Sequence, residues 1–176
     1  VNERLGNAID ALQDCAACLT LQPLSLAPSP SAPATNWISW LDQPASLRAH
    51  GLLRGSHLFL RVEMRAQNTH AAAVVAGYAL TLFEHSGREL LAFHWHPAGR
   101  SPVGYPHLHV SAALRGTTPS GEVAILPLDK VHLPTGFVSL ADVVRLLVAE
   151  LGATPVVGDW RERLERAAPM LPAFPS

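Results

Sequence analysis

The sequence predicts an α+β domain: a mainly antiparallel sheet of four to six strands with C-terminal helices packed on one face, and an N-terminal helix joined to it by a proline-rich linker. Three observations carry that expectation. Apolar residues recur at helical spacing at both ends of the chain, they alternate with period two in its middle, and the turn sequence HSGRE at 85–89 joins two strand-like segments as a hairpin.

Taken in order, residues 2–20 place Leu5, Ile9, Leu12, Cys15, Ala16 and Leu19 on one stripe of an amphipathic helix, assigned as a unit of residues 1–20. Residues 21–36 hold four prolines, a composition that denies a continuous hydrogen-bond ladder and suits an extended linker. The core domain is then assigned to 37–176, with Trp37 and Trp40 anchoring the linker on it. From Ser56 the period becomes two: Leu58, Leu60, Val62 and Met64 alternate with His57, Phe59, Arg61, Glu63 and Arg65, as in a half-buried strand. A second strand, 73–83, is apolar on both faces, and the turn connects it to a third at 90–96. A fourth is expected over 107–114, with shorter ones at 123–126 and 130–133. The C-terminal region returns to helical spacing. Ser139 stands as N-cap with Asp142 three residues on, Leu140, Val143, Val144, Leu147, Val148 and Leu151 form the stripe, and Gly152 closes it. A second helix is expected from Asp159, with Glu162 completing a similar cap, and ends before Pro169.

Composition narrows the function. Thirteen basic and fourteen acidic residues leave a formal charge of −1, which excludes a global field for nucleic acid or anionic membrane, so a polyanion would need a local patch. No leader-like segment and no uninterrupted apolar run of about 18 residues is present, and a cytoplasmic chain without membrane contact is the expectation. Cys15 and Cys18 form a lone C-x-x-C inside a helical pattern, for which packing is favoured over redox or metal chemistry.

The stretch 93–110, FHWHPAGRSPVGYPHLHV, gathers four of the nine histidines into two His-x-His pairs. Side chains two apart on a strand share a face. His94 and His96 therefore stand together against Phe93 and Trp95, and His107 and His109 against Leu108 and Val110. If the two strands are antiparallel neighbours, the four imidazoles converge on one surface. Arg61, Glu63 and Arg65 extend that polar face, Lys130 and His132 could complete it, and Arg100 and Tyr105 lie in the loop at its rim. His50, His70 and His85 fall in loops or turns and are read as ordinary surface residues, and His57 is left undecided.

Three chemistries remain open for that face. A divalent transition metal such as zinc is one: His94, His96, His107, His109 and His132 are the candidate ligands, with Glu63 as an alternative further one. In the second, the rings act directly as general acid and base on a phosphodiester, with cationic side chains clamping the phosphate. In the third, the pairs occupy a solvated sheet face.

The element Pro106, His107 and His109, followed by Phe137 and Ser139 ahead of a helix to Leu151, resembles small uncharacterised bacterial proteins with a strand pair, a Pro/Asp-His-x-His element and a serine-capped helix. The resemblance spans about residues 73–151. Such families are suggested to be toxin halves of toxin–antitoxin modules, acting as ribonucleases, so what the resemblance implies is RNA as substrate. Other comparisons break down. Ser111 replaces the third alternating histidine of histidine-triad proteins; His96 and His109 stand where two-histidine phosphoesterases carry Ser or Thr; and Pro97 to Arg100 lacks the cupin glutamate. The expectation is thus a histidine-centred phosphodiesterase acting on RNA, with His107 and His109 as central acid and base and His94 and His96 assisting. Arg61, Arg65, Arg100, Tyr105 and Lys130 would contact substrate. A metal-dependent enzyme is the runner-up. The third reading is an interaction module that reaches a protein partner through the N-terminal helix.

Overall fold

The structure, a computed structural model, describes residues 3–28, 35–40, 44–50, 53–66, 73–97, 103–111 and 133–175. Its elements are α1 (Glu3–Ala17), β1 (Leu24–Pro28), β2 (Thr35–Trp40), β3 (Ala45–Ser46), β4 (His57–Ala66), β5 (Ala73–Phe83), β6 (Glu89–Trp95), β7 (His107–Val110), β8 (Leu133–Pro134), α2 (Leu140–Arg145) and α3 (Trp160–Ala167). The strands form one antiparallel sheet in the order β1-β2-β4-β5-β6-β7-β8, with β3 also pairing β4. Two of them, β3 and β8, are only two residues long. The α+β class, the antiparallel sheet and helices at both ends of the chain are as the sequence predicts.

Alternation sets the two faces. Leu58, Leu60, Val62 and Met64 of β4 are buried, as are Tyr78, Leu80 and Leu82 of β5. They form one core with Leu5, Leu12, Cys15 and Leu19 of the N-terminal segment, Leu140, Val143 and Val144 of α2, and Trp160 and Leu164 of α3. Burying each Leu or Val contributes about 1.5–3 kcal/mol, so this face dominates stability and fixes the strand register, because a one-residue slip would turn the apolar set outward. The histidines occupy the other face.

The central strand, β5, also holds the chain's end. Its residues 73–77 extend past the point where β6 begins to pair, at Tyr78↔Trp95. There the C-terminal tail completes the ladder: the Val75 amide donates to the Ala173 carbonyl at 2.8 Å, and the Ala173 amide donates to the Ala73 carbonyl at 3.1 Å. Between Glu63↔Gly77 and Met64↔Val75 the register shifts, leaving Ala76 as the extra residue of a β-bulge.

The N-terminal part departs from the expectation of a helix separated from the core by an extended linker. The apolar stripe of α1 is buried in the core: Ala11, Cys15, Ala16 and the following Cys18 are all at 0% exposure. Residues 24–28 pair with β2, whose own strand begins at Thr35 and pairs with β4. Prolines are compatible with this ladder because β1 is the sheet's edge strand, with Pro28 at its end. Both cysteines are free thiols. Burial pushes Cys15 up to about 12 and Cys18 to about 11, and the Cys18 Sγ lies 3.4 Å from the Asp14 carbonyl, so neither presents a thiolate.

At the C-terminal end the Ser139–Asp142 capping box forms as expected, the Asp142 amide donating to Ser139 Oγ at 3.2 Å and the Ser139 amide to Asp142 Oδ2 at 3.0 Å. The helix continues through a π-helical turn, Leu146–Glu150, and Gly152 closes it at φ +80°. The cap expected at Asp159 does not form. Its backbone has ψ 26° rather than an extended value, which aims the carboxylate away from the helix amides, and Arg163 Nε donates to both oxygens at 3.1 and 3.2 Å. The strand expected at 123–126 lies outside the described residues, as do residues 130–132 of the one expected at 130–133, whose last residue, Leu133, begins β8.

Candidate metal centre

Strands β6 and β7 are antiparallel neighbours, and their register pairs His94 with His107 and Ala92 with His109. Directly paired residues share a face, so His94, His96, His107 and His109 stand on one surface. Ring centroids are 4.9 Å apart for His107–His109, 5.1 Å for His94–His109, 6.0 Å for His94–His107 and 5.8 Å for His94–His96. The convergence expected from the sequence therefore holds for all four rings, and three of them draw closer: His94, His107 and His109 each offer a ligand atom within 4.8 Å of the others. Three nitrogens held at about 2.0–2.1 Å from a tetrahedral ion stand about 3.4 Å apart, so side-chain rotations of about an ångström close the trio around one.

His107 is fixed by a backbone carbonyl. It is buried, and its Nδ1 lies 2.8 Å from the Tyr105 carbonyl oxygen. A carbonyl only accepts, so Nδ1 carries the proton and Nε2 presents its lone pair to the cluster. The loop supplying that carbonyl is itself held, since Trp95 Nε1 donates to Gly104 O at 3.2 Å and the Thr135 amide donates to Pro106 O at 2.9 Å. Trp95 projects from β6 between His94 and His96 to the opposite face, where it packs edge-on against Phe137 at 4.9 Å. One strand thus carries the imidazoles on one side and the anchor of the neighbouring ligand's loop on the other.

The floor beneath the rings consists of small residues. Across β5 the face shows Gly77, Ala79 and Thr81, which pair with Glu63, Arg61 and Phe59 of β4, while Ala79 and Thr81 pair with His94 and Ala92 of β6. At Gly77 the absence of a side chain lets two groups meet from either side: a Cβ there would lie 3.5 Å from Glu63 Oε2 and 3.6 Å from His96 Nδ1. Burial pushes the His96 imidazole below its ordinary value of 6.5, Glu63 opposes that shift, and Arg61 and His107 add to it. His96 is consequently neutral at pH 7. Arg61 Nη2 lies 3.7 Å from Glu63 Oε1.

The remaining expected site residues divide. Tyr105 is exposed at the rim, its ring 6.1 Å from that of His107. Arg61 shares a cross-strand row with His94 and His107, whereas Arg65 lies beyond the bulge, beside Val74, Trp95 and Pro97. His57 is on the same face but in β4, three strands from β7, and lines a separate recess with Phe83 and His85. Arg100, Lys130, His132 and His70 fall outside the described residues. Sequence reasoning missed Gly77 and Thr81. The signal was available: in a strand apolar on both faces, the positions 77, 79 and 81 are Gly, Ala and Thr, while the intervening 78, 80 and 82 are Tyr, Leu and Leu.

No helix among the described residues is long and apolar enough to cross a membrane. The chain matches no family model, no curated protein and no solved structure, so the chemistry of the site has to be argued from its own residues.

Proposed function

We propose that the chain is a metal-dependent hydrolase in which His94, His107 and His109 hold a divalent transition metal, zinc foremost, and that its substrate is a phosphodiester. The observation that supports this reading is the approach of three ring nitrogens from two neighbouring strands to within 4.8 Å of one another. Three neutral imidazoles leave the ion's full charge in place and one position open, the ligand set of catalytic rather than structural zinc. A metal held there would supply a water activated near pH 7 for phosphodiester hydrolysis, in which water adds to phosphorus, the ester P–O bond breaks and the proton the water gives up goes to the departing oxygen. His96, whose ring lies 5.8 Å from that of His94, would relay a proton at the site, and Arg61, in the cross-strand row of His94, would offset charge on the phosphate. RNA is the first substrate to assay, because the Pro106-His107-x-His109 element resembles families suggested to be ribonucleases.

A second reading keeps the substrate and removes the metal, with two imidazoles acting as acid and base. Its support is the 4.9 Å separation of the His107 and His109 rings together with Arg61 in the row of His94. One experiment separates the two. Protein purified without a polyhistidine tag is assayed for metal content and for cleavage of mixed RNA, with and without chelator, beside a His107→Ala/His109→Ala variant. The metal reading expects about one equivalent of metal, lost in the variant, and cleavage abolished by chelator and restored by zinc. Cleavage that persists in chelator would favour the metal-free mechanism. An apoprotein that takes up no zinc, cobalt or nickel rejects the metal reading.

A further inference from the structure

We infer that Thr81 is the positioning residue that decides how His94 binds the metal: its hydroxyl accepts a hydrogen bond from Nε2–H of His94, so that His94 ligates through Nδ1 while His107 ligates through Nε2. The inference rests on the metal reading above and specifies its coordination.

Thr81 is 4% exposed, one of four buried polar residues among those described, and His107 is another. A hydroxyl sealed from water needs a partner, because leaving it unsatisfied costs more than a typical hydrogen bond gains. The partner the described residues provide is His94 Nε2, 3.4 Å from Thr81 Oγ1. Thr81 reaches it diagonally. Its own register partner on β6 is Ala92, and the absence of a long side chain there lets the His94 ring lean over that position.

The two nitrogens of one imidazole point in divergent directions. His94 turns Nε2 toward β5, where Thr81 sits, whereas the other two rings of the trio stand on β7, on the opposite side of β6. With Nε2 turned to Thr81, Nδ1 is the nitrogen assigned to the metal. His107 has the reverse arrangement, its Nδ1 committed to the Tyr105 carbonyl. The Tyr105 carbonyl thus selects one tautomer of His107, the Thr81 hydroxyl accepts from the opposite tautomer of His94 once Nδ1 binds the ion, and each holds its ring at a fixed angle to the site. A threonine at this place in an otherwise apolar strand is accounted for by that task, since valine would fill the same volume and suit a buried strand as well.

The test uses the full chain with histidine labelled by 15N and loaded with Cd2+ or Zn2+. Long-range 1H–15N spectra identify the metal-bound nitrogen of each ring. The inference expects His94 bound through Nδ1 and His107 through Nε2. Thr81→Val should weaken Zn2+ binding about 10- to 100-fold and leave His94 in a mixture of tautomers, and Thr81→Ser should restore both. His94 bound through Nε2 in the unmutated chain would overturn this inference alone, and so would a Thr81→Val affinity within about twofold of the original. A chain that binds neither ion overturns the metal reading as well. The spectrum of the unmutated chain decides the matter even if Thr81→Val fails to fold.

Discussion

Two glycine-to-alanine substitutions should act with opposite sign, and the difference can be worked from the structure. Gly77 lies in β5 with an ordinary backbone conformation, so alanine there would ordinarily regain about 0.5–1 kcal/mol by restricting the unfolded chain. A Cβ at Gly77, however, would stand 3.0 Å from the Trp95 carbonyl oxygen. That oxygen cannot retreat easily, because Trp95 is held by its ladder pairing with Tyr78 and by its indole bond to Gly104. Adding a methyl to such a packed position costs about 1–3 kcal/mol. The net is a loss of about 0.5–2 kcal/mol, or a few degrees in melting temperature at about 2–4 °C per kcal/mol for a chain of this length. The same methyl would also come into ordinary contact with Glu63 Oε2 and His96 Nδ1, at 3.5 and 3.6 Å, so the His96 ring resonances should move with it. A methyl added at Gly6, in α1, would meet no atom within 4 Å, and Gly6→Ala should stabilise by up to about 1 kcal/mol through helix propensity. Urea unfolding of the two variants measures both values. A Gly77→Ala protein as stable as the original, with unmoved His96 resonances, would refute the close approach of β4 and β6 side chains over β5.

Further outcomes follow from the same contacts. Ser139→Ala removes the side-chain half of the capping box and should cost about 1 kcal/mol of stability by urea titration, with Ser139→Asp recovering most of it. Cys15 and Cys18 should resist a thiol reagent at about pH 8 in the folded chain and react fully in denaturant; rapid modification of the folded chain would contradict their burial. Their raised values, about 12 and 11, mean that unfolded thiols ionise near 9.0 before folded ones do, so stability should fall as pH rises above 9.0, and less so in Cys15→Ala. Burial likewise holds the Glu89 carboxyl above its ordinary 4.5, so its contribution is full below that pH and declines as pH rises through the folded value. Glu89→Gln should therefore raise the unfolding midpoint at about pH 7 and leave it unchanged near pH 3.5, and an equal effect at both would count against the assignment.

Much of the sheet was legible because its signal is local. Period two in 57–66 and the apolar run of 73–83 need only the next few residues to be read, and the His-x-His pairs take their shared face from the same two-residue repeat. The capping box at Ser139 is likewise written in four consecutive residues. What escaped depended on distant partners. The prolines of 21–36 read as a linker, since nothing local reveals that β1 becomes an edge strand paired to β2. The stripe of α1 marks an amphipathic helix but not the fact that α3 and the sheet cover it. In the site itself, the sequence brought four histidines together. The selection of three of them, the small-residue floor at Gly77, Ala79 and Thr81, and the Tyr105 carbonyl behind His107 all depend on β5–β6–β7 register, which no single segment encodes.

The most direct test of the proposed centre is X-ray absorption at the zinc edge on tag-free protein loaded with one equivalent of Zn2+. Three imidazole nitrogens at about 2.0–2.1 Å and one oxygen donor are the expected shell, falling to fewer imidazoles in His94→Ala. A shell of oxygen donors with no imidazole scattering, or a spectrum that His94→Ala leaves unchanged, would contradict it.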